Sequence, residues 1–225
     1  MDFHAHILPG ADHGSPNLDH SLRQLNCAAK AGIKTIVATP HYYTSDGISV
    51  SDFAEMRAAT ADTLERHSGA GINIIQAAEV YLSHETAELE HLPMLCVGNT
   101  DYILIEMPYG IWDSGIFDVL LSVVSARCLV PIIAHVDRYS PDNLQKLLTF
   151  GFTMQVNAEA VCRRFSRKRL IPYIKSGEIS LLGSDVHDMP EYSYSRFTRA
   201  AALLSDNITA MTAKASLILG IQHPV

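Results

Sequence analysis

The sequence predicts an α/β fold of repeated strand–helix units, closed as a barrel. Three observations carry this. Seven short apolar runs alternate with stretches of helical spacing. The runs are near-continuously apolar, as parallel strands covered on both faces require. Almost every run ends in a polar residue able to bind metal. A barrel gathers its strand ends at one face, whereas an open sheet concentrates them at a single switch point.

The elements follow in order. Residues 2–6 form the first strand. Ser15-Pro16 reads as a helix cap followed by proline at the first helical position. Leu18, Leu22, Leu25, Ala28 and Ala29 give the apolar stripe that Gly32 stops. The run 34–39 is a buried strand. A helix over 51–67 turns Phe53, Met56 and Leu64 inward. Strands are expected over 73–79, 102–106, 130–135, 152–157 and 178–184. Helices fill 115–127, 141–150, 159–175, 195–204 and 207–219. With no linker, low-complexity segment or repeat, residues 1–225 read as a single domain.

Composition narrows the function. The 225 residues carry 17 Lys plus Arg against 24 Asp plus Glu, a net charge of −7, with 48% hydrophobic residues. This is neither a disordered chain nor the basic surface that nucleic-acid binding needs. No apolar stretch is long enough to span a bilayer. The first residues lack the basic and apolar regions of a signal peptide, so the expected location is the cytoplasm. Cys27, Cys96, Cys128 and Cys162 include no close pair and read as free, buried thiols.

Eleven histidines are many for this length. His20, His67, His84, His91 and His223 scatter and read as surface residues. The other six sit at strand ends. His4 and His6 alternate on a strand and so share one face. Asp12 and His13 follow on a glycine-rich turn. His41 comes directly after an apolar strand and Pro40. Glu79 and Glu106 end apolar runs, where a carboxylate is costly unless paired or ligated. His135 ends the most apolar run, with Asp137 and Arg138 just beyond, and Arg suits a bidentate grip on phosphate. Asp185 and His187 close the set. Eight or nine nitrogen and oxygen donors without a cysteine would serve two or three divalent ions, with Mn, Fe or Zn suited to imidazole and carboxylate.

In this order, His4-x-His6, Asp12-His13-Gly14, Thr39-Pro40-His41, Glu79, Glu106, His135-x-x-Arg138 and Ser184-Asp185-x-His187 resemble the polymerase-and-histidinol-phosphatase (PHP) superfamily. The segments DFHAHILPGADHG, GIKTIVATPHYY, DYILIEMP and PIIAHVDRY resemble its bacterial tyrosine-phosphatase branch, whose members accompany tyrosine kinases of capsule and exopolysaccharide synthesis. The resemblance implies a distorted (β/α)7 TIM-like barrel with a trinuclear centre, manganese first among the metals. It implies one metal on His4, His6, Glu79 and Asp185. A second would lie on Glu79, Glu106 and His135, and a third on His41, His187 and either Asp12 or His13. Arg138 would bind substrate phosphate. Two positions depart from the branch. His13 stands where a second Asp is usual, and Tyr192 where a second arginine is usual, with Arg196 or Arg199 as replacements.

The implied activity is phosphomonoester hydrolysis by metal-activated hydroxide attack on phosphorus, with Asp137 or a metal-bound water as the acid where the leaving group is an alkoxide. The implied substrate is a phosphotyrosine protein, such as the tail of a bacterial tyrosine kinase. Histidinol phosphate or another small phosphoester is the alternative, and a non-catalytic, metal-stabilised regulatory module a third reading. The basic run 163–169 (Arg163, Arg164, Arg167, Lys168, Arg169) is a solvated helix face or a docking patch for an acidic peptide or membrane surface. Trp112 and Phe117 form either an aromatic wall for a phosphotyrosine ring or core packing.

Overall fold

The computed structural model describes residues 1–110 and 112–221. His223 therefore lies outside the described residues. Strand β1 (Asp2–Ala5) is fully buried. It leads to helix α1 (Leu18–Lys30), whose cap is Asn17 rather than Ser15-Pro16: the Asn17 side chain accepts the His20 N–H. Ser15 is spent elsewhere, its hydroxyl 2.7 Å from that of Ser21.

The strand expected over 34–39 stops early and restarts, as β2 (Thr35–Ala38) and β3 (His41–Tyr42). Pro40 lies at the break and has no N–H for the ladder. After α2 (Val50–His67) the run 73–79 divides in the same way, into β4 (Asn73–Gln76) and β5 (Glu79–Tyr81). Pairing crosses both breaks, from Ala77 N–H to Ala38 O at 2.9 Å and from Glu79 N–H to Pro40 O at 3.0 Å. The kinks turn His41 and Glu79 onto the second sheet, where they are register partners.

The remaining units are β6 (Tyr102–Glu106), α3 (Ser114–Arg127), β7 (Val130–Ile133), α4 (Pro141–Phe150) and β8 (Thr153–Asn157). The helix expected over 159–175 is two, α5 (Ala158–Cys162) and α6 (Arg164–Lys175), parted by an extended Arg163. Then come β9 (Ile179–Gly183), α7 (Pro190–Leu204) and α8 (Asp206–Leu219). α7 begins five residues earlier than expected because Pro190 opens it at a position where proline's fixed φ is already helical.

All ladders are parallel, ordered β1-β2-β4 and β3-β5-β6-β7-β8-β9. The outer edges meet: His6 N–H reaches Val186 O at 3.1 Å and Asp185 N–H reaches His4 O at 2.8 Å. The result is a distorted (β/α)7 barrel. Its interior layer consists of Phe3, Val37, Leu104, Ile132 and Leu181, with Ala215 and Ile218 of α8 packed beneath. A larger apolar layer fills the space between strands and outer helices.

Of the four cysteines, only Cys96 is buried. Cys27 and Cys162 are half-buried and Cys128 is exposed, which corrects the expectation of uniformly buried thiols. Cys128 ends α3 in the left-handed conformation. No helix among the described residues is long and apolar enough to cross a membrane.

Candidate metal centre

The strand ends converge on Glu79. Its Oε2 lies 3.0 Å from His4 Nε2, 3.1 Å from His6 Nε2 and 3.2 Å from His41 Nδ1. Its Oε1 lies 2.7 Å from His135 Nε2. Glu106 stands behind, 3.5 Å from His135 Nε2 and 3.9 Å from His41 Nδ1. Asp185 Oδ1 faces His6 and His4 at 3.4 and 3.7 Å.

Two glycines permit this density. A Cβ at Gly14 would stand 2.2 Å from His6 Cβ, and one at Gly183 would stand 2.6 Å from His4 Cβ. The backbone is strained at two site residues, with φ of 29° at His135 and 53° at Asp185.

The donor set fits divalent cations. Three ring nitrogens surround one carboxylate oxygen, and His4 Nε2 lies only 3.1 Å from His6 Nε2. One oxygen cannot satisfy three ring nitrogens in good geometry, and His41 Nδ1 is buried without a hydrogen-bond partner. Two ligands each about 2.1 Å from an ion and about 100° apart stand roughly 3.2 Å from one another, the separation seen here. Three groups bring ligand atoms close enough to share an ion: His4, His6, Glu79 and Asp185; His41, Glu79 and Glu106; and His6, His41 and His187.

Electrostatics follow from the crowding. Burial opposes a charge on His6, but bonds to Asp12, Asp185 and Glu79 raise its pKa well above the usual value. Burial and the facing His6 charge depress His41 to about 3 and His187 to about 4. Both therefore keep free lone pairs at neutral pH. Burial and the neighbouring Glu79 raise Glu106.

Both oxygens of the Asp12 carboxylate are engaged. It lies 2.6 Å from His6 Nδ1 and accepts the N–H groups of His41 and Gly14 at 2.9 and 2.8 Å. This is the arrangement of a carboxylate that orients a ligating histidine. His13 is exposed and stacks on His41 and His187, with ring centroids 4.8 Å apart in both cases. Arg138 pairs with Asp185, and its Nη1 lies 3.4 Å from Tyr109 OH. Asp137 turns away from the cluster to accept the Asn157 N–H at 2.9 Å, and burial raises its pKa.

Several site residues escaped the sequence reading. Gln155 is fully buried, its Oε1 3.2 Å from His4 Nδ1 and accepting the His135 N–H at 2.6 Å. Its signal was a polar residue inside an apolar strand. His20 is no free surface residue: its Nε2 lies 3.1 Å from His187 O. His67, His84 and His91 are exposed as expected. Trp112 is core, edge-on to Phe117 and Tyr139. The aromatic wall is instead Tyr43, Tyr81 and Tyr109, which with Arg138 line a cleft of about 500 Å³ over the cluster. A smaller cleft of about 210 Å³ lies beyond Arg138, bordered by α7.

A distorted (β/α)7 barrel with histidines and carboxylates gathered at the strand ends is the architecture of PHP-type proteins. A family model, "Capsular polysaccharide synthesis, CpsB/CapC", matches residues 1–217, and the chain belongs to that family. It is 26% identical over 201 residues to the tyrosine-protein phosphatase YwqE of Bacillus subtilis, covering 84% of this chain and 78% of that protein. It is 23% identical over 212 residues to the tyrosine-protein phosphatase CpsB of Streptococcus pneumoniae, covering 84% and 83%. A crystal structure from work on YwqE and CpsB, described as unique metal-dependent tyrosine phosphatases, superposes with a TM-score of 0.80 at 21% identity, covering 100% of this chain and 96% of that one. An inactive dihydroorotase-like domain of Chaetomium thermophilum shares the broader fold, with a TM-score of 0.55 at 13% identity, covering 100% of this chain and 79% of that one.

Proposed function

We propose that the chain is a metal-dependent phosphomonoesterase that removes phosphate from tyrosine in a protein, in the cytoplasm of a bacterium. The substrate we favour is a tyrosine kinase governing capsular or exopolysaccharide synthesis. The observation that carries this reading is the convergence of four imidazoles on Glu79 beneath a tyrosine-lined cleft bordered by Arg138. The family and its phosphatase relatives support the reaction class.

His4, His6, Glu79 and Asp185 would hold one ion. Glu79, Glu106 and His135 would hold a second. His187 would join a third with His41, and His13 is the residue of its turn free to assist. Manganese is the first choice, with iron or zinc as alternatives. Divalent ions held there acidify water and neutralise charge on phosphoryl oxygens.

The chain's own residues do the rest. Arg138, charged at any working pH, exchanges Asp185 for phosphate oxygens, a grip that strengthens as charge builds there. Tyr43, Tyr81 and Tyr109 flank the phenyl ring and exclude water from one side. Asp12 and Gln155 hold His6 and His4 by their second ring nitrogens. A phenolate, of pKa about 10, leaves with little protonation. Asp137 then serves as a brace for the end of β8 rather than as an acid.

The test is chelation followed by return of Mn, Fe, Zn or Mg, with a phosphotyrosine peptide, histidinol phosphate and an aryl phosphate as substrates. Restored activity favouring the phosphotyrosine peptide is expected. Preference for histidinol phosphate would move the protein to biosynthetic chemistry. Inactivity with every metal would leave a regulatory module.

A further inference from the structure

The smaller cleft is not explained by phosphate hydrolysis. Arg138, His187 and Asp188 line it and the tyrosine-lined cleft alike, so the two open onto one another. Its far wall is α7, where Tyr192 and Arg196 stand one helical turn apart. The Arg196 guanidinium lies over the Tyr192 ring, 4.8 Å from its centroid.

That ring is itself fixed. Tyr192 OH donates to Glu159 Oε1 at 3.3 Å, and Arg163 Nη2 donates to the same oxygen at 2.6 Å. A guanidinium stacked on an aromatic ring keeps its charge and its in-plane donors.

The charges around the cleft are mostly settled. Arg138 pairs with Asp185, and Arg163 with Glu159. Arg196 has no carboxylate partner among the described residues, and Asp188 on the shared rim is exposed and unpaired among them. Beyond Glu159 the surface becomes positive. Arg164 and Lys168 at the start of α6 are exposed without ion-pair partners among the described residues, beside a Phe165 that is 88% exposed. The remaining cations of the basic run are structural: Arg167 donates to Val161 O, and Arg169 to Asp137 O and Tyr139 O.

We propose that this cleft is a second anion subsite, built on Arg196 braced by Tyr192, which takes the carboxylate of an acidic residue beside the phosphotyrosine. The inference rests on the phosphatase reading above. A peptide whose phosphotyrosine fills the larger cleft passes over Arg138 into the smaller one, and its acidic side chain meets the Arg196 guanidinium, which lacks a carboxylate partner among the described residues.

The experiment compares three substrates on the manganese-loaded protein: a phosphotyrosine peptide flanked by Glu, the same peptide with Gln, and an aryl phosphate. The Glu peptide should exceed the Gln peptide roughly tenfold in kcat/KM, a typical worth for one charge-assisted contact, through a lower KM. Arg196→Ala should collapse that ratio towards one. Arg196→Lys should restore part of it, and Asp188→Asn should increase it. A wild-type ratio near one overturns the subsite, as does a ratio that survives Arg196→Ala. Equal loss on all three substrates in Arg196→Ala would put Arg196 on the phosphate itself and also overturn it. No turnover of the aryl phosphate by the wild-type protein would instead refute the phosphatase reading.

Discussion

At the N-terminal end of the barrel, Phe3, Leu104, Ile132 and Leu181 rest on Ala215 and Ile218 of α8. At the other end, two residues further along β6 from Leu104, stands Glu106, facing the histidine cluster. The same strands thus run from a layer stabilised by burial to one that burial penalises. The apolar end buries residue types that favour burial. The polar end holds two residues at positive φ and three ring nitrogens around one oxygen. Such strain persists only when the surroundings over-determine it. The comparison teaches that one end supplies stability and the other uses it.

The sharpest way to break this division is Glu79→Gln. The amide keeps the shape but cannot serve as an anionic bridge. Turnover of an aryl phosphate should fall about a thousandfold, the scale set by losing a central electrostatic group. Bound metal should fall with it, while circular dichroism stays native. A variant that retains most of its rate would remove Glu79 from the centre.

The converse is Ile218→Ala, on the buried face of α8 and 4% exposed. Denaturant unfolding should show a loss of about 2–4 kcal/mol from the cavity and lost burial. The kcat of the metal-loaded variant should stay within about twofold of wild type if the two ends are separable. A large fall in kcat at full metal occupancy would show that the ends are coupled.

Metal addition sharpens the contrast from the mouth. Binding only to the folded state stabilises it by about 2.7 kcal/mol at a hundredfold excess over Kd. Manganese should therefore raise the Tm of the wild-type chain and of Ile218→Ala alike, and leave Glu79→Gln almost unmoved. An equal rise in all three would place the binding elsewhere.

The apolar end was the more legible in sequence, because period and run length report burial directly. The helix over 141–150 matched to the residue: Pro141 opens α4 and Gly151 closes it in the left-handed conformation. At the polar end the residue types were legible and their partners were not. His4-x-His6 announced two imidazoles on one face, but nothing local tells Asp12 to orient His6 rather than face outward. The stop at Pro40 was legible, but the restart at His41-Tyr42 and the break at Ala77-Ala78 were not, because neither alanine carries a breaking signal. Tyr43, Tyr81 and Tyr109 come from three separate loops and strands, so only the fold assembles them.

The smallest effect expected concerns Arg169, which touches none of the clustered histidines or acids. Its Nη2 donates to Asp137 O at 2.7 Å and its Nη1 to Tyr139 O at 3.2 Å. The fork therefore holds the carbonyls of the two residues that flank Arg138, at the end of the short turn Val136–Arg138 that follows the strained His135. Arg169→Ala should lower kcat/KM for an aryl phosphate about tenfold, as the phosphate grip loosens, and Arg169→Lys should recover part of it. The double variant makes the case specific. If Arg169 acts by positioning Arg138, its removal should cost almost nothing further once Arg138 is already Ala. Additive losses would mean that Arg169 supports His135 or the fold at large. A lowered Tm with unchanged kcat/KM would return it to the apolar framework, on the other side of the division.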